Sequence, residues 1–324
     1  MTITQEQTTW FADTFQKLSD NVGLAVLGKP GVVRLVLTAF LAEGHVLLED
    51  APGTGKTQLA KAIAATVQGT NSRIQFTPDL LPSDVTGTVI YAQKTGEFQF
   101  RQGPIFASIV LADEINRASP KTQSALLEVM EEGRVTVDGT AYPVGRPFLV
   151  IATQNPIEQA GTYKLPEAQL DRFLVKTSIG YPDLEAAERI LSGAAVKDRS
   201  ASLTSIITTQ MVAEISEMLT GVHVDPAVLR YTAQLAEETR NDPSTRLGVS
   251  VRGTLAMVRA AKVWAASDGR AYVIPDDIKA LAAPVWEHRI VLDPEAEFAG
   301  ATAAGVVGRA LAEVAAPQSR SSAA

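Results

Sequence analysis

The sequence predicts an α/β domain with a parallel sheet covered by helices on both faces, followed by a smaller all-helical domain. Three observations carry this. Short apolar runs alternate with helical patterns as far as Pro182, the texture of parallel strands joined by crossover helices. One of those runs feeds a glycine turn and then a helix, from Gly44 to Thr57. From Asp183 onward, strand-like runs stop and amphipathic helices take over. At 324 residues the chain exceeds one average domain, and two are the natural expectation.

Taken in order, residues 1–20 are polar with scattered aromatics and predict a helix on the domain edge. Pro30 starts a second helix, Gly31 to Leu41, apolar around most of its circumference and therefore buried. The preceding Val26-Leu27-Gly28-Lys29 admits two readings: an ordinary helix-entry turn, which the residues alone favour, or a segment against which an adenine ring packs, with Gly28 in contact.

Val46, Leu47 and Leu48 form a buried strand; Asp50, Ala51, Pro52, Gly53, Thr54 and Gly55 form a turn; a helix opens at Lys56, Thr57 and Gln58. Such a turn gathers backbone N–H groups into a concave nest at a helix N-terminus, where the helix dipole adds positive charge. Lys56 is placed to reach the β- and γ-phosphates of a nucleotide, and the Thr57 hydroxyl to ligate Mg²⁺. This is a Walker A loop with one departure: the glycine expected six residues before the lysine is Asp50. Aspartate tolerates a left-handed backbone, but its charge near phosphates requires the side chain to point away or bind a backbone N–H.

Arg73 to Phe76 is a second strand. Thr77 to Gly103 is rich in turn formers and too long for a plain loop; within it Thr88–Ala92 and Phe98–Arg101 predict a hairpin closed by Lys94-Thr95-Gly96-Glu97. Ile109 to Ala112 is an apolar strand ending in Asp113 and Glu114, the Walker B arrangement. At the C-terminal end of a parallel strand both face the same crevice as the glycine loop. Asp113 is the Mg²⁺ carboxylate and Glu114 the base for water.

Ser119 caps a helix with Pro120 at its first position, running to about Glu131. Arg134–Val137 and Tyr142–Val144 flank Asp138-Gly139, a strong hairpin signal. Phe148 to Ala152 is another apolar strand, followed by Thr153-Gln154-Asn155-Pro156. Asn155 is either a water- or phosphate-positioning amide or a turn starter before proline; the residues alone do not separate the two. Pro166 to Phe173 is a short helix entering a last strand, Leu174 to Ser178. The expected helices of the second domain are Leu184–Leu191, Gln210–Leu219, Pro226–Arg240, Val251–Ala266 and Pro275–Val285. Pro317 to Ala324 is Ser/Ala-rich, with the composition of a disordered tail.

Composition narrows the function classes. A net charge of -7 without a Lys/Arg-rich run argues against nucleic acid or an anionic membrane as the main partner. The absence of cysteine excludes disulfides and thiolate metal sites and fits a reducing compartment. No segment approaches the roughly 20 apolar residues that span a bilayer, and the first twenty residues carry no basic-then-apolar leader. The expectation is a cytoplasmic protein.

Several stretches together resemble the AAA+ ATPases, specifically the MoxR group in the branch with an insert near helix 2. The most specific are Ile74 to Pro82, Ala112 to Ala118, Ala152 to Pro156 and Pro166 to Phe173, and the likeness runs from about Gly28 to His288. The resemblance implies an AAA+ core over 1–182, with the insert at about 77–103 and a pre-sensor-1 hairpin at about 133–144, then a lid domain over 183–316. It assigns Lys56 and Thr57 to Walker A, Asp113 and Glu114 to Walker B, and Asn155 to sensor 1. Arg172 resembles the arginine finger given to a neighbouring subunit, and Arg252 the sensor 2 arginine; spacing alone favours a surface ion pair for both. Arg117 and Arg146 share candidacy for the trans role. ATP and Mg²⁺ are the implied cofactors, and a ring oligomer, usually hexameric, acting on a von Willebrand factor A domain protein is the implied assembly. The alternatives are a magnesium-chelatase-like ATPase subunit, a nucleic-acid-dependent motor, and a GTPase switch, for which the guanine-reading Asn/Thr-Lys-x-Asp element is lacking.

Overall fold

The computed structural model describes residues 3–94, 96–155, 162–193 and 198–317. The chain forms two compact units, one spanning Gln16–Ile215 and the other combining Met1–Phe15 with Ser216–Ala324.

The Gln16–Ile215 unit takes in part of α1 (Gln5–Gly23), then α2 (Pro30–Leu41), β1 (Val46–Glu49), α3 (Lys56–Thr66) and β2 (Asn71–Gln75). Next come α4 (Pro82–Thr86), the strands β3 (Gly87–Ala92) and β4 (Glu97–Gln102), β5 (Ile109–Asp113) and α5 (Pro120–Glu132). It ends with β6 (Arg134–Val137), β7 (Thr140–Pro143), β8 (Leu149–Gln154), α6 (Glu167–Leu170), β9 (Val175–Thr177), α7 (Leu184–Ser192) and the start of α8 (Thr209–Leu219). Five strands make one sheet in the order β2-β5-β8-β1-β9, every neighbouring pair parallel. Their apolar runs follow from that arrangement, because a strand covered on both faces has no polar side to show. β5 is buried at all five positions and β8 at five of six.

Chain connections are set by local chemistry. Ser119 caps α5 by accepting the Thr122 N–H, and Gly133, at φ 64°, ends it with its N–H on the Val129 carbonyl. Gly44 lets the chain enter β1 against Leu174: a Cβ there would sit 2.5 Å from the Leu174 Cβ. His45 is buried; its Nδ1 accepts the Val150 N–H at 3.1 Å, so its Nε2–H faces the Met130 carbonyl at 3.0 Å. One neutral imidazole thereby ties the start of β1 to β8 and α5.

Both expected hairpins are present. β3 pairs with β4 from Gly87↔Gln102 to Ala92↔Glu97, and β6 pairs with β7 around Asp138 (φ 48°) and Gly139 (φ 78°), two left-handed residues as a type I′ turn requires. Thr95 of the first hairpin's turn lies outside the described residues, as do Pro156 and the tail from residue 318.

The second unit is helical, built from the rest of α8, then α9 (Pro226–Asn241), α10 (Val251–Ser267), α11 (Pro275–Trp286), α12 (Pro294–Phe298) and α13 (Ala303–Glu313). To the expected helices it adds α12, α13 and one antiparallel ribbon of β10 (Thr245–Leu247) with β11 (Val291–Leu292). The textural change at Asp183 and the division after Ile215 differ by α7, a loop and the start of α8. The loop accounts for it: Asp198 pairs with Lys61 on α3 at 2.6 Å, and the Ile206 N–H donates to the Thr66 carbonyl at the end of the same helix, so this segment packs on α3.

Candidate functional site

The C-terminal ends of β1, β5 and β8 lie along one edge of the sheet. Register sets which residues meet there: Ala112 pairs with Ala152, Leu48 with Thr153 and Glu49 with Gln154. Beyond β1 the glycine loop turns at Gly53 (φ 84°) and Gly55 (φ 94°), and α3 begins at Lys56. These are the two loop positions where the backbone needs glycine. Asp50 is not among the residues with positive φ, so the left-handed tolerance of aspartate is not used. Its carboxylate is instead turned into the protein, 3% exposed, accepting N–H groups from Ile179 and Gly180 and the Ser178 hydroxyl, each at 2.8 Å. The requirement that it bind a backbone N–H is met twice.

An open cavity of about 360 Å³ sits on this edge, lined by Pro52 to Gln58 with Arg73, Asp113 and Glu114. Lys56 Nζ donates to the carbonyls of Asp50 and Ala51, both at 3.3 Å. Asp113 is 7% exposed. Its Oδ1 accepts the Thr153 hydroxyl at 2.6 Å, and its Oδ2 accepts Arg73 Nη2 at 2.6 Å. Glu114 follows the strand in a left-handed conformation (φ 57°, ψ 49°), an uncommon state for a non-glycine residue that recurs at functional sites. Its N–H donates to Thr153 Oγ1 at 2.9 Å, while its Oε2 accepts Gln75 Nε2 at 2.9 Å and pairs with Arg117 at 3.0 Å.

The cavity thus brings together Pro52 to Thr57, Gln58, Asp113 and Glu114, nine of the expected site residues. Ala51 precedes it, contributing the carbonyl to Lys56. Asn155 directly follows β8 and is buried but does not line the cavity. Gly28 (φ 73°) lies against α7, where an added Cβ would stand 2.7 Å from the Ala186 Cβ. Arg172 forms an ion pair with Glu131 at 3.0 Å. Arg146 is 73% exposed and 3.7 Å from Glu43. Arg252 belongs to the other unit, in the first turn of α10.

Arg73, Gln75 and Thr153 were given no role by the sequence. Strand pairing was the missing signal. With β2 beside β5 (Gln75↔Asp113) and β8 on the other side, the residues one step from the two carboxylates follow at once.

The donor set suits a nucleoside triphosphate with magnesium. A glycine loop opens a helix, one ammonium and one hydroxyl follow it, and a buried carboxylate faces them across the cavity. Among the described residues no group of three His, Cys, Asp or Glu could hold a metal unaided. Magnesium at a nucleotide asks for less, one or two protein groups plus phosphate oxygens.

Comparison with known proteins agrees. The family described as "ATPase family associated with various cellular activities (AAA)" matches residues 45–175, and an AAA lid domain matches 237–310. The chain is 48% identical to protein YeaC of Bacillus subtilis, over 94% of this chain and 95% of that one. It is 41% identical to Chaperone MoxR1 of Mycobacterium tuberculosis, over 94% and 83%, and 34% identical to Protein MoxR of Paracoccus denitrificans, over 84% and 87%. A crystal structure of a candidate ATPase from Cytophaga hutchinsonii superposes with a TM-score of 0.90 at 37% identity, covering 97% of this chain and 98% of the other. With strand order, glycine loop, paired carboxylates and full-length relatives in agreement, the chain belongs to the MoxR group of AAA+ ATPases.

Proposed function

We propose that this protein hydrolyses ATP and uses the energy to remodel partner proteins, working as a hexameric ring on clients with a von Willebrand factor A domain. The observation that carries the reading is the meeting of Lys56, Thr57, Asp113 and Glu114 around one cavity at the strand ends. The name of the relative Chaperone MoxR1 supports the remodelling half.

Thr57 and Asp113 would hold the magnesium ion, which when bound neutralises charge on the β- and γ-phosphate oxygens. Lys56 is readily released to the phosphates, because its two bonds to loop carbonyls, at 3.3 Å, are at the long end for N–H···O contacts. Glu114 accepts a proton from the attacking water at a carboxylate oxygen, while Gln75 and Arg117 hold its Oε2 and orient the carboxylate. Asn155, fixed at the end of β8, orients the water or the γ-phosphate, and Arg252 serves as the second sensor.

Arg172 is assigned in trans, on the phosphate held by a neighbouring subunit. Its own-chain partner does not oppose this. A half-exposed ion pair such as Arg172–Glu131 contributes about 0–1 kcal/mol, whereas an arginine supplied across an interface changes turnover by about 10³–10⁵. Breaking the own-chain pair costs little beside the transition-state stabilisation that an arginine in trans supplies. The test is turnover of Arg172→Ala mixed with Glu114→Gln. Each variant alone is nearly inert, and mixing restores activity because Arg172→Ala subunits keep the base while Glu114→Gln subunits keep the finger. No recovery at any ratio overturns the shared site.

A further inference from the structure

Asp50 occupies the position where the phosphate loop begins and where the Walker pattern has glycine. A glycine there makes no side-chain contact; this aspartate makes three. Its Oδ1 accepts the hydroxyl of Ser178 and the N–H of Gly180, and its Oδ2 accepts the N–H of Ile179, all at 2.8 Å. Two consecutive backbone amides and a hydroxyl satisfy a carboxylate that is 3% exposed, as a buried polar group requires. The main chain of the same residue is engaged on the other side, its N–H on the Gln154 carbonyl and its carbonyl accepting Lys56 Nζ.

The turn that Asp50 grips leads elsewhere. Immediately after Gly180, the Tyr181 carbonyl accepts Lys29 Nζ at 2.6 Å. Lys29 follows Gly28, whose left-handed backbone (φ 73°) lies against Ala186 in the first turn of α7. A continuous chain of short contacts therefore runs from the phosphate loop through Asp50 and residues 178–181 to the Gly28–Lys29 segment. Both ends of a nucleotide need fixed anchors at a set separation, because each contact made to a preorganised group avoids an ordering cost at binding.

We propose that Asp50 is a positioning residue, whose carboxylate locks the phosphate loop to the Ser178–Gly180 turn and so sets the spacing between the phosphate anchor and the Gly28–Lys29 segment as a base-side anchor. This rests on the nucleotide reading above. It makes a counterintuitive demand: restoring the Walker glycine impairs the site, because three donors lose a charged acceptor and the loop loses its tether.

The experiment measures the affinity of the full chain for a fluorescent ADP analogue without magnesium, at a temperature where circular dichroism shows each variant folded. Asp50→Gly and Asp50→Ala weaken binding by about tenfold or more, the scale expected for a lost charge-assisted contact, and amide exchange at Ile179 and Gly180 accelerates. Asp50→Asn is intermediate: one oxygen still accepts Ser178 and Gly180, while the amide nitrogen faces the Ile179 N–H donor. Ser178→Ala, an exposed residue supplying one of the three donors, gives a smaller loss in the same direction. Folded Asp50→Gly that binds ADP within about twofold of wild type overturns the positioning role, even if it melts at a lower temperature. Lys56→Ala separates the two levels. If wild type binds and Lys56→Ala does not, failure at Asp50 falls on this inference alone; if wild type binds no ADP, the nucleotide reading fails and this inference with it.

Discussion

The strand ends around Asp113 and the two hairpins β3–β4 and β6–β7 belong to the same unit, yet they are held in opposite ways. At the strand ends, side chains meet because main-chain register has already brought their Cα atoms together. Ala112 opposite Ala152 puts Asp113 beside Thr153, and Gln75 opposite Asp113 puts it next to Glu114. Each hairpin has its own ladder, but no strand pairing joins one hairpin to the other. Phe98 is 76% exposed and Tyr91 57%, pairing with each other at 5.3 Å. The β4 residue Phe100 stacks on the β7 residue Tyr142 at 4.2 Å and 24°, so one hairpin is joined to the other by an aromatic pair between segments far apart in sequence. In the first region backbone pairing brings the side chains together; in the second a side-chain contact joins two separately paired ribbons.

If that contrast holds, the largest effect should come from a small change at the strand ends. Thr153 is fully buried, and its hydroxyl donates to Asp113 Oδ1 while accepting the Glu114 N–H. Thr153→Val keeps the shape and removes both bonds. A buried carboxylate oxygen of Asp113 and the backbone N–H of Glu114 are then left without this partner, at a cost of about 1–3 kcal/mol in stability. Loss of an outer partner of this kind lowers activity by about 10–100-fold. Urea unfolding and steady-state ATPase rates check the two together. Thr153→Ser restores both bonds and recovers most of the activity; a valine variant as active as wild type would show that register alone orients the carboxylates.

The same contrast explains what could be read without coordinates. The glycine loop, Lys56, Thr57, Asp113 and Glu114 are legible because the chemistry and the fold signal occupy adjacent residues. Thr153, Arg73 and Gln75 are not, because the sheet order β2-β5-β8-β1-β9 interleaves strands that are not consecutive, and the contacts follow from that order. Asp50 lies between these cases. Its need for a backbone donor follows from its charge, but the donors it finds, at Ile179 and Gly180, are more than a hundred residues away. The β10–β11 ribbon escapes for a simpler reason: strands of three and two residues are too short to show alternation. In α13, Ala-Ala-Gly-Val-Val-Gly gives little contrast between faces.

A second, smaller effect tests the hairpin side of the comparison. A double-mutant cycle on Phe100→Ala and Tyr142→Ala should give a coupling of about 0.5–1.5 kcal/mol, the range for a stacked aromatic pair. Phe98→Ala, at the exposed end of the same strand, should fall within about 0.5 kcal/mol of wild type. Thermal or urea unfolding of the four proteins reads both. A coupling near zero would mean that each hairpin is fixed by its own strand pairing, and the contrast with the strand ends would disappear.

The smallest effect lies where neither device operates, at the surface tie between α3 and the loop before α8. Lys61 pairs with Asp198 at 2.6 Å, and that hydrogen bond, with help from Ser200, holds the Asp198 carboxyl down at about 2 from its ordinary 3.8. A carboxyl depressed in the folded state stabilises the fold above its unfolded value, and this contribution is lost as pH falls from about 4 toward about 2. With the two side chains 38% and 34% exposed, solvent screening limits it to under about 1 kcal/mol. Asp198→Asn should therefore be slightly less stable than wild type at pH 7 and less so at high salt. Urea midpoints taken in steps from pH 7 to pH 3 should begin to converge below about pH 4. A difference that persists unchanged to pH 3 and in high salt would assign the loss to the Ser200 contacts rather than to the charge on Lys61. The tie would then join the hairpins, as a contact held by local packing.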